Sequence, residues 1–268
     1  MADPHEITNV LGGDGFQFMT DDAEYSPLKI YFAVPSCVPA TPLETNGAVF
    51  GADQVEKWLP RCCALGEMMN YVGVVGKDSE IVRKLQAAHK LKKPVDGHAP
   101  QLSGEQLRAY VAAGISTDHE CSTEAEALEK LALGMKILIR DGSAARNYPR
   151  LKNLLKTHPD QVMCCTDDAH PDDILARGHI DKFLRWGAAD GVSVHDLVRV
   201  CCFNPVDHYG LKIGQLRPGD PADFILVDNL RDFAVKRTVI NGECVYDGTC
   251  ITYKTVPHPI PPNNFCAR

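Results

Sequence analysis

No stretch of this 268-residue chain approaches about 18 uninterrupted apolar residues, so no membrane-crossing helix is expected. Met1 is followed by ADPHE and not by a basic-then-apolar leader, and no signal peptide is expected either. Basic runs are missing: 28 Lys and Arg stand against 35 Asp and Glu, a net charge of -7, which removes the electrostatic footprint of a nucleic-acid binder. A small neutral or weakly polar substrate suits that balance better. Neither an internal repeat nor a low-complexity block interrupts the chain. A disulfide framework is also absent, although cysteine is plentiful. Six of the 11 cysteines form the adjacent pairs Cys62-Cys63, Cys164-Cys165 and Cys201-Cys202 inside apolar runs, and neighbours in sequence rarely bridge. They are expected to be reduced and buried, in a cytoplasmic protein.

What is present is alternation. Short apolar or β-branched runs (LKIYFAVPSC at 28–37, ALGEMMN at 64–70, MKILIRDGS, QVMCCTDD) are separated by segments of helical period, such as 52–63 and 78–91. Ser103 with Gln106, and Thr123 with Glu126, have the spacing of capping boxes, and Gly114 and Gly134 can stop the two helices. Continuous apolar strands alternating with amphipathic helices predict a parallel sheet covered on both faces. The length is that of one α/β barrel, so a (β/α)8 TIM-like barrel is the expected fold.

Polar residues capable of chemistry recur where these strands end: Glu67, His98, His119, and Asp167 with Asp168. In a (β/α)8 barrel all such tips face one mouth, where the active site forms. Two imidazoles and two carboxylates converging there make a ligand set for one or two divalent metals. Plainer roles exist for each. A lone strand-end histidine is usually a satisfied polar residue, and Asp167 or Asp168 can cap a helix beginning near Pro171. Glu67 is more telling, because a carboxylate among Leu65, Met68 and Met69 must be paired, protonated or metal-bound. His89, His158, His195 and His258 fall on helical or tail segments as surface or packing residues, whereas one of His170 and His179 is expected to face the mouth.

The blocks DPHEI, PSCVPA, GEMMN, DGHAP, AAGISTDHE, IRDGSAARN and CTDDAHPDD, with the later NPVDHYGL, GQLRPGDPADFILVDN and VINGECVYDG, resemble the bacterial adenine deaminases of the amidohydrolase superfamily. The likeness runs from Asp3 to roughly Asp247. It implies a metal-activated water attacking C6 of adenine, releasing ammonia and leaving hypoxanthine, a purine-salvage reaction. By the family pattern Glu67 bridges two metals, His98 and His119 ligate the second, and Asp167 both ligates and transfers the proton. Glu120 is a proton-transfer candidate, Ser143 and Arg146 are candidate substrate contacts, and Asp3, His5, Glu6 and Asp168 are candidate mouth residues. Asp3 and Pro4 have an alternative role as an ordinary helix start. The metal is expected to be Mn(2+) or Fe(2+), binuclear in the family, and a homo-oligomer is expected.

Superfamily members carry a His-x-His pair at the end of the first strand, and no such pair occurs here. The sequence therefore predicts a truncated barrel over residues 1–210, lacking the first strand and part of the second, with one metal position under-coordinated. Residues 211–250 are expected to be the remnant of a small β-sandwich, and 251–268 a Pro-rich tail. Two further functions stay open: an amidohydrolase acting on another cyclic amide or amidine, and an inactive remnant lacking the His-x-His ligands. The zinc cytidine-deaminase class is excluded, since its H-x-E and P-C-x-x-C signature is missing.

Overall fold

Valine, isoleucine and leucine concentrate in short runs, and these runs become parallel strands. The structure, a computed structural model, describes residues 1–41 and 43–253. His258 and the Pro-rich tail from 254 onward lie outside the described residues. Two compact units divide the chain, the first covering Met1–Thr117 and the second Asp118–Tyr253.

In the first unit β1 (Ala33–Val34), β2 (Ala64–Met68) and β3 (Val95–Gly97) form a parallel sheet in sequence order. Ala33 pairs with Ala64 and Leu65 with Val95. Parallel bridges at Ala2 to Phe32 and at Val95 to Ile115 extend the same progression at both sides. Strand order equal to chain order, with a helical crossover at each step, is the winding of a barrel wall and not of a doubly wound sheet. The helix Ser79–Lys90 buries Ile81, Lys84, Leu85 and Ala88, a stripe at helical spacing, and burying each large aliphatic side chain contributes roughly 1.5–3 kcal/mol. Asp78 caps it, its carboxylate accepting from the Glu80 and Ile81 N–H groups at 3.0 and 3.1 Å. The helical pattern at 52–63 is shorter than its period implies. The α-helix Ala52–Trp58 passes into a 3-10 turn, Leu59–Arg61, because Pro60 has no N–H to carry the ladder on.

The second unit opens with Asp118 of β4 (Thr117–Asp118), followed by β5 (Lys136–Arg140) and β6 (Val162–Cys165), again in chain order. β5 and β6 run parallel from Ile137 beside Val162 to Arg140 beside Cys165. Ile137, Ile139, Val162, Phe183 and Leu197 are fully buried in one core. Tyr148, Phe183 and Trp186 meet there edge-on or tilted, with ring centroids 5.1–6.0 Å apart. The helix Glu124–Ala132 starts as its sequence predicts, with the Thr123 hydroxyl accepting from Glu126 N–H at 3.2 Å. The reciprocal bond lands one residue earlier, from Ser122 N–H to Glu126 Oε2 at 2.9 Å. Ser103 heads the helix Gly104–Ala112 but makes no side-chain cap.

β7 (Phe224–Val227), β8 (Val235–Ile240) and β9 (Glu243–Tyr246) form an antiparallel meander. Asn241 and Gly242 take φ of +52° and +84°, the paired left-handed conformation of a type I′ hairpin, which Asn-Gly supplies at least cost. The ten described cysteines are all free. Cys202, Cys244 and Cys250 are exposed, contrary to the expectation of burial, since two of them lie on or beside this meander.

Candidate metal-donor sets

In the first unit Glu67 is the one residue of β2 that is not fully buried, and its side chain is still only 11% exposed. Its Oε2 lies 2.8 Å from His98 Nδ1, at the end of β3. Asp3 joins it from the chain start: Asp3 Oδ2 accepts from Glu67 N–H at 3.0 Å. Only glycine at position 66 permits that approach, because a Cβ there would stand 2.1 Å from Asp3 Oδ2. His5 Nδ1 is 3.4 Å from Glu67 Oε1 and 3.8 Å from Asp3 Oδ1. Asp3 thus serves Glu67 and does not cap the helix His5–Leu11, whose N-cap is Pro4.

Burial pushes the Asp3 carboxyl above its ordinary value. Burial works the other way on His5, yet Asp3, helped by Glu67 and Glu6, outweighs it and lifts His5 to about 9. Two atoms in this group, Asp3 Oδ1 and His5 Nδ1, are buried without a hydrogen-bond partner. One ligand atom from each of Asp3, His5 and Glu67 falls within 4.8 Å of the others. Carboxylate oxygens and imidazole nitrogens at that spacing, with buried donor atoms unmatched, fit a divalent cation. Glu6 touches His5 Nε2 at 3.2 Å but is mostly exposed.

The second unit holds another set. His119, Glu120 and Asp167 bring ligand atoms within 4.8 Å of one another, with His119 Nε2 at 3.3 Å from Glu120 Oε1. Arg140, the last residue of β5, forks onto Glu120 through Nη1 to Oε1 at 2.6 Å and Nη2 to Oε2 at 3.0 Å, and its Nη1 also donates to Asp167 Oδ2. Asp167 takes φ of +54°, a left-handed conformation rare outside glycine, asparagine and aspartate.

Two buried groups shape the loop that carries His119. Asp118 Oδ2 accepts from Lys130 Nζ at 2.9 Å and from Glu120 N–H at 3.2 Å. Asn147 accepts from Arg140 N–H at 2.6 Å through Oδ1, and its Nδ2 donates to the carbonyls of His119 at 3.2 Å and Cys121 at 3.1 Å. Asp118, Cys121 and Glu126 also have metal-ligand spacing, but the Lys130 ammonium already fills that place, 2.8 Å from Glu126 Oε1.

Other expected site residues lie apart from these sets. Ser143 Oγ accepts from His170 N–H at 2.8 Å, and Arg146 bonds the Gly142 carbonyl at 3.0 Å and reaches Asp173 at 3.4 Å. Both therefore engage the 168–173 segment. Asp168 is exposed, and its carbonyl accepts from Ser143 N–H at 2.8 Å. It does not cap the helix Pro171–Arg177, whose N-cap is His170. Of the two histidines past β6, His179 turns toward the strand end, with Nε2 3.3 Å from Thr166 Oγ1, while His170 is exposed. Asp141, another strand tip, is buried against Arg177 at 3.0 Å and Lys182 at 3.2 Å.

A profile of the amidohydrolase family matches residues 1–245. Among curated relatives, the adenine deaminase of Methanosarcina mazei is 53% identical over 249 residues, covering 92% of this chain and 45% of that protein. The adenine deaminase of Parabacteroides distasonis is 48% identical over 267 residues, covering 99% of this chain and 49% of that protein. The chain thus spans about half the length of the curated relatives it matches. Among solved structures, a β-aspartyl dipeptidase of Fervidobacterium islandicum superposes with a TM-score of 0.64 at 13% identity, over 90% of this chain and 71% of that one. An N-acetyl-D-glucosamine-6-phosphate deacetylase of Mycobacterium smegmatis does so with 0.63 at 14% identity, over 91% and 73%. At such identities these two speak to the fold alone.

Proposed function

The chain belongs to the amidohydrolase family, and on that premise we propose that it is an adenine deaminase polypeptide, converting adenine and water to hypoxanthine and ammonia. The observation that carries this is near-50% identity to adenine deaminases over nearly the whole chain. We assign as metal donors Glu67 and His98 in the first unit, and His119 and Asp167 in the second. When bound, a divalent metal supplies Lewis-acid activation of water, bringing its pKa from 15.7 toward about 7.

The remaining work falls to side chains. Asp167 accepts a proton from the attacking water at a carboxylate oxygen and returns it to the purine ring or the departing amine. Arg140 orients the Asp167 and Glu120 carboxylates, donating to both through its terminal nitrogens. Glu120 is the second proton-handling group, beside His119 at 3.3 Å. Ser143 and Arg146 contribute through the 168–173 segment that they brace.

Manganese or iron as the metal, a binuclear arrangement, a homo-oligomer and a cytoplasmic location belong to the same proposal. Nitrogen and oxygen donors support the metals, and ten free cysteines support a reducing compartment. Ile225 and Leu226, each 47% exposed on β7, support association. A hydrolase barrel over 1–210 followed by sandwich strands over 211–250 is likewise proposed, supported by parallel pairing through β6 and antiparallel pairing from β7. The test is metal removal, reloading with Mn(2+) or Fe(2+), and measurement of hypoxanthine and ammonia from adenine. Metal-dependent product that disappears in Glu67→Gln is expected. Loaded protein that leaves adenine intact contradicts the substrate assignment.

A further inference from the structure

Glu67 and His98 leave neighbouring strands, so their spacing is only as fixed as the two backbones that carry them. Tyr110, on the helix Gly104–Ala112, is fully buried, and its hydroxyl reaches the place where both strands end. It donates to the Met68 carbonyl at 2.7 Å and accepts from His98 N–H at 3.0 Å. One oxygen atom thereby ties the residue after one donor to the backbone of the other. Gly97 leaves room for it, since a Cβ there would lie 3.1 Å from that hydroxyl and 2.2 Å from the Thr117 carbonyl. A core tyrosine needs a single partner to satisfy its O–H. Tyr110 instead uses its proton on one strand tip and a lone pair on the other.

We propose that Tyr110 is a positioning residue, setting the separation of Glu67 and His98 for metal binding; this rests on the donor assignment made above. Ligand atoms must meet a metal at about 2.0–2.2 Å, so a shift of a few tenths of an ångström in either strand end is felt directly at the ion. Groups of this kind, one shell out from the ligands, typically govern metal affinity by 10–100-fold. Tyr110→Phe removes one oxygen, keeps the ring that fills the core, and takes away both the bond to the Met68 carbonyl and the bond from His98 N–H.

The experiment is calorimetric titration of the metal-stripped chain with Mn(2+), comparing wild type, Tyr110→Phe, Glu67→Gln and Ile81→Val. Ile81 is buried on a different helix, so Ile81→Val supplies a comparable loss of thermal stability without touching either strand tip. Tyr110→Phe is expected to weaken Mn(2+) binding roughly 10–100-fold while Ile81→Val binds as wild type does. If Tyr110→Phe matches wild type, or if Ile81→Val weakens binding as much, the positioning role is overturned and the donor assignment stands. If wild type takes up no Mn(2+), or Glu67→Gln binds as tightly as wild type, the donor assignment fails and the Tyr110 inference falls with it.

Discussion

Glu67 Oε2 and His98 Nδ1 stand 2.8 Å apart, although 31 residues separate them and each leaves a different strand. A carboxylate that close to an imidazole orients the ring. Glu67→Gln keeps the shape and removes the charge. It is expected to weaken Mn(2+) binding at least about tenfold, by titration calorimetry, with little change in the unfolding temperature of the metal-free chain. Unchanged affinity contradicts a donor role for Glu67.

Arg140 presents both terminal nitrogens to Glu120, at 2.6 and 3.0 Å. Lysine preserves the charge but cannot reproduce that planar fork. Arg140→Lys is therefore expected to lower the rate of ammonia release from adenine by about tenfold or more while metal content by elemental analysis stays at the wild-type value. A lysine variant of full activity shows that charge alone is needed there.

The Lys130 ammonium and the Asp118 carboxylate are both fully buried, 2.9 Å apart. Removing Lys130 strands the Asp118 charge in a dry interior, and removing Asp118 leaves the Lys130 ammonium with Glu126 alone. Lys130→Met and Asp118→Asn are each expected to cost about 3–5 kcal/mol in urea unfolding, and the double variant less than the sum. Additive losses show that the two do not act as a pair.

His208 lies against Tyr209, ring centroids 4.7 Å apart. Burial, aided by the Lys136 ammonium, pulls its pKa from 6.5 down to about 4. The unfolded chain then binds a proton that the folded chain refuses. Stability is full above about pH 6.5 and falls as the pH drops toward 4, by roughly 3 kcal/mol from this group. Urea midpoints at pH 7 and pH 5 measure the drop, and His208→Phe is expected to remove this part of it. An equal drop in the phenylalanine variant assigns the acid sensitivity elsewhere.

Much of this architecture is legible in the sequence because burial leaves a periodic trace. Ile81, Leu85 and Ala88 announce the face of their helix, and Thr123 with Glu126 announces a helix start. Glu67 stands out because a carboxylate inside an apolar strand is costly unless it is put to use. His119 is visible only through its companions at other strand ends. Arg140, Asn147 and Tyr110 are not legible in the same way. Their bonds run from side chains to distant backbone or to carboxylates brought near by folding, and such contacts carry no spacing rule. Asp141 shows the converse: an acidic residue just past a strand end, it is buried against Arg177 and Lys182. Helix length at 52–63 is overestimated because Pro60 tightens the last turn, a local effect that periodicity averages away.

The central claim is that imidazole nitrogens and carboxylate oxygens, and not the plentiful thiols, hold the ion. X-ray absorption at the manganese edge of the Mn(2+)-loaded chain tests it most directly. The account requires a first shell of nitrogen and oxygen with imidazole scattering that weakens in both His98→Ala and His119→Ala. A sulfur shell near about 2.3 Å, or a spectrum indifferent to both histidine changes, contradicts it.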